Sequence, residues 1–208
     1  MRERPILFSA PMVRAILAGT KTQTRRIAKD VRHPDLGNWY APGALVLERE
    51  PQHVIERACP KGRPGDRLWV RETWARNQVT PLEHRPPGEF IYGADLNDSA
   101  LRRYATTWKP SIHMPRSACR LVLEINAIRL ERLQAISEAD AIAEGASFHD
   151  GRGVGHSGWR HDFGDVHATA RDAFARLWRD INGPDSWSAN PWVWVVEFMP
   201  ADTDKKEM

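Results

Sequence analysis

Eight consecutive residues, Gly19-Thr20-Lys21-Thr22-Gln23-Thr24-Arg25-Arg26, carry one lysine, three threonines and two arginines, with no apolar side chain among them. Such a stretch does not fill a core. A threonine hydroxyl becomes a nucleophile once a base removes its proton, and a lysine kept from water can lose its own proton and act as that base. The arginines add permanent positive charge, which suits a small polar or phosphorylated ligand. The same composition also fits a solvated turn followed by an edge strand, so the chemistry needs a partner from elsewhere in the chain. Glu144 is one candidate. It stands just before Gly145, at the expected end of a helix, where the terminal carbonyls disfavour a carboxylate by roughly 0.3–1 kcal/mol. A glutamate in that place is either exposed to water or kept for chemistry.

The elements around these residues follow from pattern. Ile6-Leu7-Phe8 reads as a short strand, and Ser9 with Pro11 opens a helix that Gly19 closes. The threonine-rich stretch then runs extended. In a regular strand Lys21 and Thr24 point to opposite faces, so they converge only if Lys21 still belongs to the turn after Gly19. Thr22 shares the face of Thr24 and is the alternative hydroxyl. Pro64-Gly65-Asp66 is a turn signal before a strand over 67–74. Within it Trp69, Arg71 and Thr73 share one face, and Leu68, Val70 and Glu72 the other. Phe90–Tyr92 reads as a strand, and so does Ala44–Leu47. The longest strand-like run is 121–133. Its apolar residues change parity near Ala127, which predicts a bulge or sharp bend. Ser137-Glu138-Ala139-Asp140 is a capping box of the Asp type, opening a helix that ends at Gly145. Ala170, Ala173, Phe174, Leu177, Trp178 and Ile181 mark one face of a helix over 167–181, and a last strand spans 192–198.

At 208 residues, with 41% hydrophobic and 27% charged side chains, the chain can bury a core without staples. Two cysteines far apart make no disulfide framework, and the interrupted apolar run at the N-terminus does not read as a signal peptide. A cytoplasmic location without membrane contact is the expectation. The net charge of +3 permits contact with a nucleotide without requiring a nucleic-acid groove. Nine tryptophans offer core filler or stacking surfaces for flat ligands. His149, His156, His161 and His167 sit among glycines at spacings that match no common ligand pattern, and Cys59 has no second cysteine nearby. No metal and no other cofactor is expected. Gly151–Gly155 lacks the strand and helix that a phosphate-binding loop needs.

The Gly19–Arg26 stretch, the Pro64-Gly65-Asp66 turn, Leu133-Gln134-Ala135-Ile136-Ser137-Glu138 leading to Glu144, and the closing Trp194-Val195-Val196-Glu197-Phe198 occur in that order. Together they resemble the ASCH superfamily, and within it the small bacterial N(4)-acetylcytidine amidohydrolases. The likeness covers about half of the chain. It implies an α+β, PUA-like fold: a small mixed or antiparallel β-barrel with two or three packed helices. One domain over 1–200 would carry long inserted loops near 30–64, 76–118 and 146–165, followed by a disordered tail over 201–208. It also implies a catalytic set of Lys21, Thr24 and Glu144. The substrate would be an N(4)-acylated cytosine nucleoside, hydrolysed to cytidine and a carboxylic acid. Trp69, Trp74, Tyr92 and Trp192 are the candidate stacking groups, Arg26 a polar anchor and Glu72 a partner for the cytosine edge. The alternatives are a module that binds RNA or a modified nucleobase, and a ribonuclease.

Overall fold

The computed structural model describes residues 1–76, 89–95, 107–151, 157–161 and 165–201. Its frame is a five-stranded sheet. In spatial order the strands are β1 (Glu3–Leu7), β5 (Arg67–Arg71), β8 (Val122–Arg132), β11 (Trp192–Pro200) and β2 (Gln23–Ile27). The β1–β5 pair is parallel and the other three pairs are antiparallel. The strands expected over 121–133 and 192–198 are thus neighbours, paired along most of their length.

The parity change in β8 is a register shift. Glu197 pairs with Ala127 and Phe198 with Ile125, which leaves Asn126 as the extra residue. The bulge returns Leu123 and Ile125 to the same side as Ile128 and Leu130, and all four join one core. β11 alternates across the sheet. Trp194, Val196 and Phe198 enter that core, whereas Val193 and Val195 enter a second core on the opposite face.

Helix α1 (Ala10–Leu17) packs Val13 and Ile16 into the first core. The stretch 30–64, expected as irregular, contributes a two-stranded ladder of β3 (Val31–Arg32) and β4 (Trp39–Tyr40), then α2 (Ala44–Leu47) and α3 (Gln52–Ala58). Val31, Leu45, Ile55 and Cys59 from these elements lie in the first core. The strand expected over Ala44–Leu47 is therefore a single helical turn. A four-residue apolar run does not separate the two states. Here the Gly43 carbonyl accepts from the amides of Val46 and Leu47, at 3.1 and 3.0 Å.

Two helices cover the other face: α4 (Glu138–Ala143) and α5 (Ala170–Asn182). The capping box at Ser137 forms, with Asp140 N donating to Ser137 Oγ at 3.1 Å. Thr169 caps α5 by accepting from Asp172 N at 3.0 Å. Ala170, Phe174 and Trp178 are buried against Val193 and Val195, while Ile181 stays exposed at the end of the expected apolar face. A smaller cluster joins Trp74 of β6 (Trp74–Arg76) to Met114, beside β7 (Phe90–Tyr92). The remaining short pair is β9 (Ser147–His149) with β10 (Gly158–Arg160). Parts of the expected insertions at 76–118 and 146–165, and the tail 202–208, lie outside the described residues.

The result is a mixed α+β architecture with a mostly antiparallel sheet, and the expected closed barrel is not formed. β1 and β2 end the sheet on opposite sides without a ladder between them. What crosses between them is a side chain: Arg26 Nη2 donates to the Leu7 carbonyl at 2.7 Å, with its guanidinium 5.3 Å from the Phe8 ring. Both edge strands are only five residues long, and β2 gives its hydrogen bonds to β11. Among the described residues, no helix is long and apolar enough to cross a membrane.

The joint between 30–64 and the sheet is tight at Gly43. A Cβ there would stand 2.2 Å from Trp192 Nε1. Gly43→Ala should lower stability by about 1–3 kcal/mol, the usual cost of overpacking, read as the shift of a chemical-denaturation midpoint. An unchanged midpoint would show that the Trp192 indole can swing aside and that the joint is loose.

Candidate functional site

Lys21 is placed by backbone on both sides. Helix α1 ends at Leu17, and the turn that follows passes through Gly19, whose φ of +72° lies in the left-handed region that glycine tolerates. Thr20 N and Lys21 N then both donate to the Ala15 carbonyl, at 2.9 and 3.1 Å. Thr22 N donates to the Ala143 carbonyl at the end of α4, and the Thr22 carbonyl accepts from Phe198 N, each at 2.8 Å. β2 starts only at Gln23, so Lys21 lies outside it and forms an isolated antiparallel bridge with Glu144. Gly145 turns the chain after Glu144 at φ +103°, in the left-handed region that favours glycine, with Lys21 packed beside it.

This approach brings Lys21 against Glu144. Lys21 Nζ donates to Glu144 Oε2 and to the Glu144 carbonyl oxygen, both at 2.8 Å. The second bond satisfies a carbonyl left over at the end of α4, while the first neutralises the carboxylate that sits badly there. The two side chains are 1% and 3% exposed. Burial pushes the Lys21 pKa below the usual lysine range, because desolvation outweighs the attraction of Glu144 for the charged form.

Arg25 extends the cluster and is the residue that sequence reasoning passed over. Its buried guanidinium donates to Glu144 Oε1 at 3.2 Å and to Glu131 Oε1 at 2.7 Å, and lies 3.3 Å from Asp140 Oδ2. Gln23 Nε2 donates to the Asp140 carbonyl at 2.8 Å, fastening β2 to α4. Arg129 donates to Asp140 Oδ1 at 2.9 Å and also pairs with Glu197. Burial raises the Asp140 pKa, but Arg25, Ser137 and Arg129 together hold it below the ordinary aspartate value.

Two hollows open beside these charges. The first, of about 460 Å³, is lined by Lys21, Glu144, Gly145, Thr20 and His161. The second, of about 270 Å³, is lined by Thr24, Arg25, Arg26, Glu144 and Lys61, with Phe174 and Trp178 of α5 as apolar wall. Met12, Glu144 and Leu177 line both, so the hollows adjoin at these three residues. Lys21 thus lines the first hollow and Thr24 and Arg26 the second, while Glu144, 123 residues beyond Lys21 in the chain, lines both. Thr24 is buried and Thr22 exposed, which favours Thr24 as the hydroxyl.

The aromatic nominations fall elsewhere. Trp69 stacks with Arg71, and Trp74 is buried between Phe90 and Lys109. Tyr92 donates to the Ala118 carbonyl under Arg120, and Glu72 is paired with the same Arg120. Trp192 packs against Gly43 and Arg132. None of these five lines either hollow. The tryptophan that does is Trp178, whose buried indole N–H has no partner among the described residues.

His161 reaches the first hollow. Burial, and then the charges of Lys21 and His167, push its pKa down to about 4, so its ring is neutral near pH 7. Its Nε2 has no hydrogen-bond partner among the described residues. Among those residues no group of three or more His, Cys, Asp or Glu could hold a metal ion; His156 lies outside them. Cys59 is buried and its thiol is pushed up to about 11, which keeps it from acting as a thiolate nucleophile. Comparison of the chain with protein families, with curated proteins and with solved structures finds no match.

Removing one partner of a buried ion pair strands the other. Glu144→Ala should cost about 3–5 kcal/mol of stability, and Lys21→Met in addition should return part of that loss. The check is a double-mutant cycle on chemical denaturation. Additive losses would mean that Lys21 and Glu144 are not coupled.

Proposed function

We propose that the chain is an amidohydrolase that removes the acyl group from N(4)-acylated cytosine nucleosides. The observation that carries this reading is the buried Lys21–Glu144 pair, whose glutamate also lines the adjoining hollow that holds the buried Thr24. A lysine whose pKa is lowered gives up its proton more readily than an exposed one, and Glu144 fixes where its nitrogen sits. The order of motifs that resembles the N(4)-acetylcytidine amidohydrolases points to the same three residues.

The chemistry then runs in two balanced halves. Thr24 Oγ1 adds to the acyl carbon while the Lys21 amine takes its proton. The carbon–nitrogen bond breaks, the cytosine nitrogen leaves with the proton returned from Lys21, and the acyl group remains as a threonyl ester. The leaving nitrogen is a better leaving group than an alkyl amine because its electrons delocalise into the ring. Water, losing a proton to Lys21, attacks the ester, and the carboxylic acid departs as Thr24 recovers its proton. The neutral ring of His161 can donate a hydrogen bond to the developing oxyanion.

The test is incubation of the purified chain with N(4)-acetylcytidine, following the ultraviolet change to cytidine. Turnover is expected without added metal. Thr24→Ala and Lys21→Met should each lower kcat by about 10²-fold or more, and Thr24→Ser should retain part of the activity. The base form of Lys21 is the active one. Activity should therefore rise with pH through a pKa below the ordinary lysine value of about 10.4. Thermal melts separate loss of chemistry from loss of fold. Parent-like turnover by both Thr24→Ala and Lys21→Met would overturn the assignment.

A further inference from the structure

Arg26 and Lys61 reach the second hollow from different elements, β2 and the turn after α3. The other cations at the site, Lys21 and Arg25, both have carboxylate partners. Arg26 and Lys61 depart from that pattern: among the described residues neither forms an ion pair. Arg26 uses one nitrogen on the Leu7 carbonyl, and its Nε is buried without a partner. Glu144, whose charge reaches Arg26, is already engaged by Lys21 and Arg25. Burial, together with the nearby charge of Arg26, lowers the Lys61 pKa. Two like charges left facing one hollow cost free energy that an anion placed there would return.

We infer that Arg26 and Lys61 form an anion subsite for the phosphate of a cytosine nucleotide whose acylated base lies against Lys21 and Glu144. The inference rests on the proposed function for the cytosine end of the ligand, but the anion end stands on its own geometry. Phe8 sets the scale. Its ring is 5.8 Å from Lys21 Nζ and 5.3 Å from the Arg26 guanidinium carbon, so the two cations are at most about 11 Å apart. That is within the reach of a mononucleotide from its exocyclic nitrogen to its 5′-phosphate. An arginine fork and a lysine point charge arriving from different elements suit the several oxygens of a phosphate. Phe174 and Trp178 supply the apolar wall along the way.

The experiment is calorimetric titration of the whole chain with cytidine and with cytidine 5′-monophosphate, the product-side ligands. The monophosphate should bind about tenfold tighter or better at low salt, with the advantage shrinking as salt rises. Lys61→Ala should remove that advantage and leave cytidine affinity and the thermal melt unchanged, and Lys61→Arg should restore it. Inorganic phosphate should compete with the monophosphate. The dinucleotide UpC carries the same phosphate as a diester. If it binds as tightly as the monophosphate, the subsite stands and its phosphate comes from a strand. If neither phosphate-bearing ligand binds better than cytidine, the subsite is overturned. Turnover of N(4)-acetylcytidine in that case would leave the amidohydrolase reading intact. A Lys61-dependent preference for the monophosphate with no turnover would do the reverse.

Discussion

Lys21 and Glu144 are taken out of water together, and the site is arranged around that choice. Moving each ion into the interior costs several kcal/mol, and mutual attraction repays this only when the remaining hydrogen-bonding positions are filled. Here they are filled by specific neighbours. The ammonium donates to both the carboxylate and the carbonyl of Glu144, and the other carboxylate oxygen accepts from Arg25. Arg25 in turn needs Glu131 and Asp140, which fixes β8 and α4 relative to β2. A pair of leucines in place of the ions would gain about 1.5–3 kcal/mol each by burial and need no such support. Stability alone therefore does not account for the pair.

The sheet was legible where periodicity is a strict test. The parity change in 121–133 marked the bulge at Asn126, because a half-buried strand cannot change faces without an extra residue. Closure into a barrel was not legible. It depends on whether two short edges meet, and at that place the chain uses the Arg26 side chain instead of a ladder. The stretch 30–64 reads as irregular from its prolines and glycines, yet Leu45 and Ile55 are core residues. Helices of four and seven residues are too short to show a period.

At the site, Lys21 could be placed by the glycine in the turn after α1, and Glu144 by the awkwardness of a carboxylate at a helix end. Arg25 was missed because strand parity gives no reason to prefer it over Arg26 until α4 supplies the carboxylates. The candidate tryptophans Trp69, Trp74 and Trp192 lie away from the two hollows for a related reason. Trp69, Trp74 and Trp192 sit in strands that look like candidate platforms, but their neighbours on the same face are set by tertiary packing. Trp178 faces the hollow from α5, where an apolar stripe reads as core. His161 carries no periodic signal at all; burial beside Lys21 gives it meaning.

The second hollow shows what the open sheet makes possible. Thr24, Arg25, Arg26 and Ile27 all line it, four residues in succession. A pocket over one face of a strand would be lined by alternate residues, since successive side chains point to opposite faces. Consecutive lining means that the hollow runs along the free edge of β2. An edge strand left bare invites pairing with another chain, and proteins commonly cover it. Here α5 supplies one wall, and the Arg26 bond to Leu7 holds the corner where β1 and β2 come nearest. Had β1 and β2 closed the barrel by pairing, that edge would have been consumed by backbone hydrogen bonds. Left open, it lines one hollow with the buried Thr24, with Arg25 and Arg26, and with Glu144 from the facing segment.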